Sequence, residues 1–229
     1  MTAQSALAPD DLDDFTLAGL ARGGDAAAAR LLLTRNNQRL YRTCWSVLKD
    51  RAEAEEAVQD AYLKAFAALD GFHGECAFST WLTRIAINEA LGRRRTSQRR
   101  RRRLEDSGVS LLDDYREALM PGRAGEEAAD AALARRQIAR LLEGAISRLP
   151  EPFRTVFILR EVNELSVEDA ATALGVPPET VKTRLFRARR RLREDLGPEV
   201  KSSLSEAFLF AGADCAALTE QVLEKLGLS

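Results

Sequence analysis

The sequence contains few of the residues from which catalytic and metal sites are usually built. Its 229 residues include one histidine, His73, and three widely spaced cysteines, Cys44, Cys76 and Cys215. An odd number of separated cysteines does not suggest a disulfide framework, and His73 with Cys76 supplies two ligands where a zinc site usually needs four. The sequence shows no Ser/His/Asp set and no phosphate-binding glycine loop. We therefore expect a protein that is not an enzyme and that needs no metal or cofactor.

Long apolar runs and strand patterns are also missing. No apolar stretch approaches the ~20 residues that a membrane span needs, and the acidic start "MTAQSALAPDDLDDF" lacks the basic and then apolar layout of a signal peptide. Aromatic residues make up 6% of the chain, and alanine, leucine, arginine and glutamate, which are strong helix formers, dominate it. We therefore expect an all-α, cytoplasmic protein without membrane insertion.

The formal net charge of −1 conceals a strong segregation of charge along the chain. The block "RRRTSQRRRRR", Arg93 to Arg103, holds eight arginines, whereas residues 104–132 hold eight acidic residues and two arginines. This acidic segment also contains three glycines and a proline, which predicts a flexible linker over 104–131. The linker would join two helical domains, 10–103 and 132–196, and a C-terminal helical extension would occupy 197–229.

The second domain carries the pattern of a DNA-reading helix-turn-helix. In "LSVEDAATALGVPPETVKTRLFRARRRL", Ser166 and Asp169 form an N-terminal capping pair, Gly175 ends the first helix, and Pro178 suits the first turn of the next. That next helix is basic on its outer side, as in proteins that insert a recognition helix into the major groove. The segments "ARRQIARLLEGAISRLP" and "PFRTVFILREV" predict two preceding helices, which makes a four-helix DNA-binding domain.

The first domain contains a helix with one apolar and one polar face, Asp50 to Leu69, followed by the loop "DGFHGECAFS" and the helix "TWLTRIAINEALGRRR". In this order the segments resemble the sigma-70 family of bacterial transcription initiation factors, and most closely its small two-domain, extracytoplasmic-function group. The resemblance covers about residues 12–103 and 132–195. It is carried by "AEAEEAVQDAYLKAF", "FSTWLTRIAINEA", "LPEPFRTVFILREVNELSVEDAATALGV" and "VKTRLFRARRRL".

The resemblance implies a sigma factor that binds the largest subunits of core RNA polymerase and directs promoter recognition, DNA melting and transcription initiation. The helix from Asp50 to Leu69 would dock on the clamp helices of the polymerase, and we expect its polar face to be free. The implied polymerase-binding residues are Glu56, Gln59, Asp60 and Leu63.

The resemblance also implies that the loop and helix from about Phe72 to Arg95 read the melted −10 element. The implied DNA-facing residues are Phe72, Ser79, Trp81, Arg84, Asn88 and Arg93. Trp81 has an alternative role as a core residue beside Leu82 and Ile85, whereas Asn88 is the best single candidate for a base contact. The arginine block extends this helix and would lie along the promoter backbone.

The helix-turn-helix would read the −35 element as duplex DNA. Lys182, Thr183, Phe186 and Arg187 would face bases, while Arg184, Arg189 and Arg190 would hold phosphates, which position rather than specify. Pro177 departs from the Ser or Thr that often caps this helix in the family.

Three questions stay open at this level. A stand-alone helix-turn-helix regulator is the alternative to a sigma factor. We expect the C-terminal tail to form a short helix packed on the second domain, and a regulatory role in access to polymerase or to an inhibitor is its alternative. An anti-sigma protein is a possible further partner, since many relatives are held inactive by one, but no residue pattern identifies it.

Overall fold

A computed structural model describes residues 12–106, 141–196 and 213–228, and within these ranges the chain is helical without strands. The predicted all-α fold is confirmed. Helix α4 continues to Asp106, and the rest of the predicted linker lies outside the described residues. The helices are α1 Asp14–Arg22, α2 Ala26–Leu48, α3 Arg51–Ala67, α4 Phe78–Asp106, α5 (described over 141–148), α6 Glu151–Phe157, α7 Val167–Leu174, α8 Pro178–Leu196 and α9 Ala213–Leu226.

The first three helices begin at aspartates that satisfy backbone N–H groups left without partners at a helix start. The carboxylate of Asp13 accepts from the N–H of Thr16 at 2.7 Å, and Asp50 accepts from the N–H of Glu53 at 2.8 Å. Asp25 accepts in the same way at the start of α2. These caps separate α1, α2 and α3 although only short connections join them.

Helices α1 to α4 enclose the first core. Alanines 54, 57, 61 and 65 on α3 are fully buried, which lets α2 and α4 approach α3 closely. The hydroxyl of Tyr62 donates to the carbonyl of Leu33 at 3.2 Å and so satisfies its polar end inside the core. The apolar stripe predicted for α3 is confirmed, with Phe66 partly rather than fully buried.

Helices α5 to α8 enclose the second core. The helix predicted from "ARRQIARLLEGAISRLP" buries Leu142 and Ile146 completely, whereas Leu141 is 61% exposed. After α6 the chain continues as a π-helical turn, Ile158–Val162, whose apolar side chains are also buried.

The two cores touch. Ile87 of α4 is buried in the second core, and Trp45 and Leu91 pack against both cores. Arg154 of α6 is buried at this junction, where its Nε donates to the carbonyl of Ser46 at 2.6 Å. Burial lowers the pKa of the Arg154 guanidinium to about 10. Helix α7 packs on α4, so the helix-turn-helix rests against the first domain.

The C-terminal helix α9 packs on α2 and α3 of the first domain. Leu218, Val222 and Leu223 are buried in the same core as the side chains of α2 and α3. The prediction that the tail packs on the second domain is therefore wrong. Apolar spacing showed that a helix would bury this stripe, but spacing carries no information about which surface receives it.

Candidate polymerase and nucleic-acid interfaces

The polar side of α3 carries the residues predicted to bind polymerase, and α4 supplies a counter-charge to it. Arg93 donates to a carboxylate oxygen of Glu56 at 2.8 Å and also pairs with Asp60. Partial burial lowers the pKa of Arg93, but the hydrogen bonds with Asp60 and Glu56 outweigh it and the net direction is upward. The Glu56 side chain is still 62% exposed and that of Asp60 40% exposed. Leu63 is half-buried on the same helix.

Gln59, the third polar residue of this side, is covered. Its side chain hydrogen-bonds to Gln221 and to Lys225 of α9, and 9% of the residue is exposed. The expectation of a free polar face on α3 is therefore wrong at Gln59. The covering helix could not be inferred from α3 itself, because the contact joins residues more than 160 positions apart.

Helix α4 presents one exposed stripe beside its two packed faces. Arg84, Asn88 and Arg95 are exposed at helical spacing. The prediction groups Arg93 with Asn88 as DNA-facing residues, but Arg93 lies on the other side of α4, toward α3. The reason is the long-range pairing with two carboxylates of α3 described above. Ser79 is half-buried near the start of the helix.

An aromatic cluster lines the loop that leads into α4. The ring of Phe72 packs against those of Phe15, Phe78 and Trp81, with centroids 5.9, 5.4 and 5.0 Å away. Phe72 is 8% exposed and Trp81 is half-buried, so Trp81 combines a core contact with an accessible edge.

A cavity of about 490 Å³ opens beside this cluster. Sequence reasoning missed Phe15 and Gly74 as wall residues, since Phe15 sits in an acidic segment far from the loop and carries no local signal. Burial raises the pKa of the neighbouring Cys76 thiol, so this cysteine is a small wall residue rather than a reactive thiolate. The cavity is lined by Asp13, Asp14, Phe15, Phe72, His73, Gly74, Cys76, Ala77 and Phe78.

The arginine block continues α4 as a helix. Arg95, Arg99, Arg100, Arg102 and Arg103 are exposed along it. At the start of the block, Arg94 pairs with Glu151 of α6 at 2.5 Å. A helical arm with exposed guanidinium groups suits phosphate contacts better than a base-reading role.

The helix-turn-helix forms with the predicted local chemistry. Ser166 accepts the N–H of Asp169 at 2.9 Å and donates its hydroxyl to the Asp169 carboxylate at 2.7 Å. Gly175 ends α7 in the left-handed region at φ 63°, and Pro178 opens α8. Val181 and Leu185 are buried and fix which side of α8 faces outward.

The outward side of α8 collects the residues predicted to face bases. Lys182, Thr183 and Arg187 are exposed, and Phe186 is 62% exposed, which is unusual for a large apolar side chain. The predicted phosphate-binding arginines differ in their surroundings. Arg189 pairs with Glu161 at 2.7 Å, Arg190 pairs with Glu194 at 3.0 Å, and Arg184 is half-buried.

No group of three or more His, Cys, Asp or Glu side chains in the described ranges could hold a metal ion. None of the described helices is both long and apolar enough to span a membrane.

Comparison with known proteins finds matches in both domains. The model of sigma-70 region 2 matches residues 32–100, and that of sigma-70 region 4 matches residues 139–192. RNA polymerase sigma-H factor of Pseudomonas aeruginosa is 34% identical over 190 residues, which span 83% of this chain and 97% of that protein.

The chain belongs to the sigma-70 family. The ECF RNA polymerase sigma-E factor of Escherichia coli K12 is 30% identical over 84% of this chain and 98% of its own length. SigW of Bacillus subtilis is 31% identical over 76% of this chain and 91% of its own length. These two relatives place the chain with the ECF-type factors. It has the function of an RNA polymerase sigma factor in promoter recognition. Sigma factors are not an enzyme family. The match of residues 32–100 to sigma-70 region 2 favours a sigma factor over a stand-alone helix-turn-helix regulator, because such a regulator would not need this region.

Two solved structures share the fold of this sigma factor. One is the sigma factor RpoE of Bartonella quintana in complex with the anti-sigma factor NepR, with a TM-score of 0.56 and 28% identity over 74% of this chain and 94% of that one. The other is CnrH in complex with the cytosolic domain of CnrY, with a TM-score of 0.51 and 25% identity over 79% of this chain and 95% of that one.

Proposed function

We propose that this sigma factor divides promoter recognition among three helices: α3 docks on core polymerase, α4 and its loop hold the melted −10 element, and α8 reads the −35 element. The observation that carries the proposal is the exposed stripe of Arg84, Asn88 and Arg95 on α4, the helix whose first residue, Phe78, lines the aromatic cavity. A strand of melted DNA needs both a basic surface along its backbone and a pocket for an extruded base.

The docking role of α3 is supported by its exposed acidic side. Glu56 and Asp60 remain accessible despite their pairing with Arg93, and Leu63 offers a partly exposed apolar contact beside them. We assign polymerase binding to Glu56, Gln59, Asp60 and Leu63. Arg93 is better suited to positioning the two carboxylates than to contacting DNA directly.

In the −10 site each residue has a distinct role. Asn88 offers both a donor and an acceptor for the edge of a base, and Arg84 offers a charge for the strand. Phe72 is nearly buried and supports the half-buried Trp81, whose exposed part offers a base an aromatic contact. Beyond this site, the arginine block follows the backbone of the upstream duplex.

In the −35 site the exposed ring of Phe186 suits an apolar contact with a thymine methyl group, and Lys182, Thr183 and Arg187 suit hydrogen bonds to base edges. Arg184, Arg189 and Arg190 serve phosphates. For Arg189 and Arg190 this requires exchange of a carboxylate partner for a phosphate, which costs little at such exposed positions.

The remaining roles follow from the same assignment. The protein works in the cytoplasm, where polymerase and promoter DNA are, and any catalysis belongs to the polymerase. The domains are 10–103 and 132–196, joined by the linker 104–131. An anti-sigma protein is a candidate regulator, because one structural relative, the sigma factor RpoE of Bartonella quintana, was solved with the anti-sigma factor NepR.

Two variants, each the control for the other, test whether α4 binds the −10 element and α8 the −35 element. In the holoenzyme, Asn88→Ala should weaken binding of a single-stranded −10 oligonucleotide about tenfold, since a lost bidentate base contact costs ~1–3 kcal/mol. It should leave binding of a duplex −35 fragment unchanged. Phe186→Ala should do the reverse, with a loss of about fivefold, because part of an apolar contact area is removed. Equal effects of each variant on both ligands would contradict the assignment.

A further inference from the structure

Helix α9 is anchored on the surface formed by α2 and α3. Its residues Leu218, Val222 and Leu223 are at most 3% exposed and belong to the core of the first domain. Its opposite side, including Glu224, is exposed. The helix therefore covers a surface of the sigma fold rather than extending the second domain.

Polar contacts at both edges fix the position of α9. On the α2 side, the amide of Asn37 donates to the hydroxyl of Thr219 at 2.6 Å, and Arg30 forms a two-pronged ion pair with Glu220. The hydrogen bond from Arg30 lowers the pKa of the Glu220 carboxyl, so this pair is charged at neutral pH. Both Arg30 and Glu220 are about half exposed, which keeps the pair weak enough to exchange.

On the α3 side, α9 contacts Gln59, one of the residues assigned to polymerase binding. Gln59 uses its amide nitrogen toward Gln221 and its amide oxygen toward Lys225. Both hydrogen-bonding ends of Gln59 are thus occupied by α9, and the residue is nearly buried. A polymerase helix that uses Gln59 cannot occupy this surface while α9 lies on it.

We propose that α9 is an intrachain lid that competes with core polymerase for the α2/α3 surface. This inference rests on the proposed docking role of α3. Because α9 is tethered to the same chain, it acts at high effective concentration and needs no separate inhibitor protein. Polymerase binds the open form, so its apparent affinity is its intrinsic affinity multiplied by the fraction of molecules that are open.

The test changes the contacts that hold α9 in place and measures the affinity of the full-length protein for bacterial core RNA polymerase. Glu220→Lys breaks the ion pair with Arg30, and Glu224→Lys is the matched control, the same charge reversal on the exposed side of α9. Val222→Asp places a carboxylate at a fully buried position and should release the helix. Adding Arg30→Glu to Glu220→Lys restores an ion pair of opposite polarity.

The lid predicts about a two- to fivefold tighter complex for Glu220→Lys, the range expected for an exposed ion pair, and roughly tenfold or more for Val222→Asp. Glu224→Lys should match the unaltered protein, and the double variant should return toward it. Amide hydrogen exchange should rise in α9 of Val222→Asp while α1 to α4 stay protected, which separates release of the lid from unfolding.

Two different failures are distinguishable. If all of these proteins bind core polymerase with one affinity although exchange shows α9 released, the lid is overturned. Glu56→Lys, at a residue that pairs with Arg93 and not with α9, then decides the docking role of α3. Weaker binding of this variant upholds the docking role, and unchanged binding overturns it. If neither the unaltered protein nor any α9 variant binds core polymerase, the docking role is wrong and the lid is overturned with it.

Discussion

At the scale of single residues, the site depends on side chains whose partners are distant in sequence. Arg93 is the clearest case. Its position in the arginine block suggests DNA, whereas the fold directs it to Glu56 and Asp60 across the α3–α4 contact. Asn88, five residues earlier, is exposed as its motif predicts. The difference arises because exposure of a polar residue can follow from helix periodicity, but its ion-pair partner depends on how two helices pack.

Gly74 provides a residue-scale prediction for the cavity. It adopts φ 76°, and a Cβ at this position would lie 2.9 Å from the Phe15 ring. Gly74→Ala should lower the free energy of unfolding by about 1–2 kcal/mol, because a left-handed backbone is costly for alanine. Denaturant unfolding followed by tryptophan fluorescence measures this. Gly71→Ala is the control in the same loop, since a Cβ at Gly71 meets open space. Equal stability of the two variants would contradict the account.

At the scale of elements, short-range signals predicted most of the fold. The caps at Ser166 and Gly175, the start of α8 at Pro178 and the stripe of α3 all involve residues a few positions apart, and the structure confirms them. The docking of α9 on the first domain was not predictable in this way. An amphipathic stripe predicts that a helix buries one side, but it does not indicate which of the two domains that side packs against.

The N-cap of α7 is the element-scale prediction. Ser166→Ala removes the acceptor for the N–H of Asp169 and should destabilise the second domain by about 1 kcal/mol. Binding of a duplex −35 fragment should weaken in parallel, because α7 supports α8. Thr172→Ala, on the exposed side of the same helix, is the control. Urea unfolding and fragment binding check both effects, and a Ser166→Ala protein as stable as the control would count against the cap.

At the scale of the whole molecule, the contact between the domains holds α4 and α8 close together, whereas the two promoter elements lie far apart. Packed helices lie about 8–10 Å apart, and α7 joins α4 to α8 through two such contacts. The two reading helices are therefore within roughly 20 Å of each other. About 25 base pairs separate positions −10 and −35, which is about 85 Å of duplex. The −10 and −35 roles proposed above for α4 and α8 therefore require the two domains to separate, which would release contacts such as that between Arg94 and Glu151.

The two domains could be predicted from the sequence, but the contact between them could not. Both domains were predicted from local motifs, and the family match spans both. Their contact through Ile87, Trp45 and Arg154 was not predicted. These residues look like ordinary core or charged positions of their own helices, and only the assembled fold shows that they face the other domain.

The most direct test of the central claim is transcription in a defined system. The purified protein is added to bacterial core RNA polymerase with fragmented genomic DNA and nucleotides, and the 5′ ends of the RNA are mapped. The account predicts discrete start sites that require the protein, preceded by two shared motifs at a fixed separation. RNA ends that are the same with and without the protein, while the protein alone still binds duplex DNA, would contradict it.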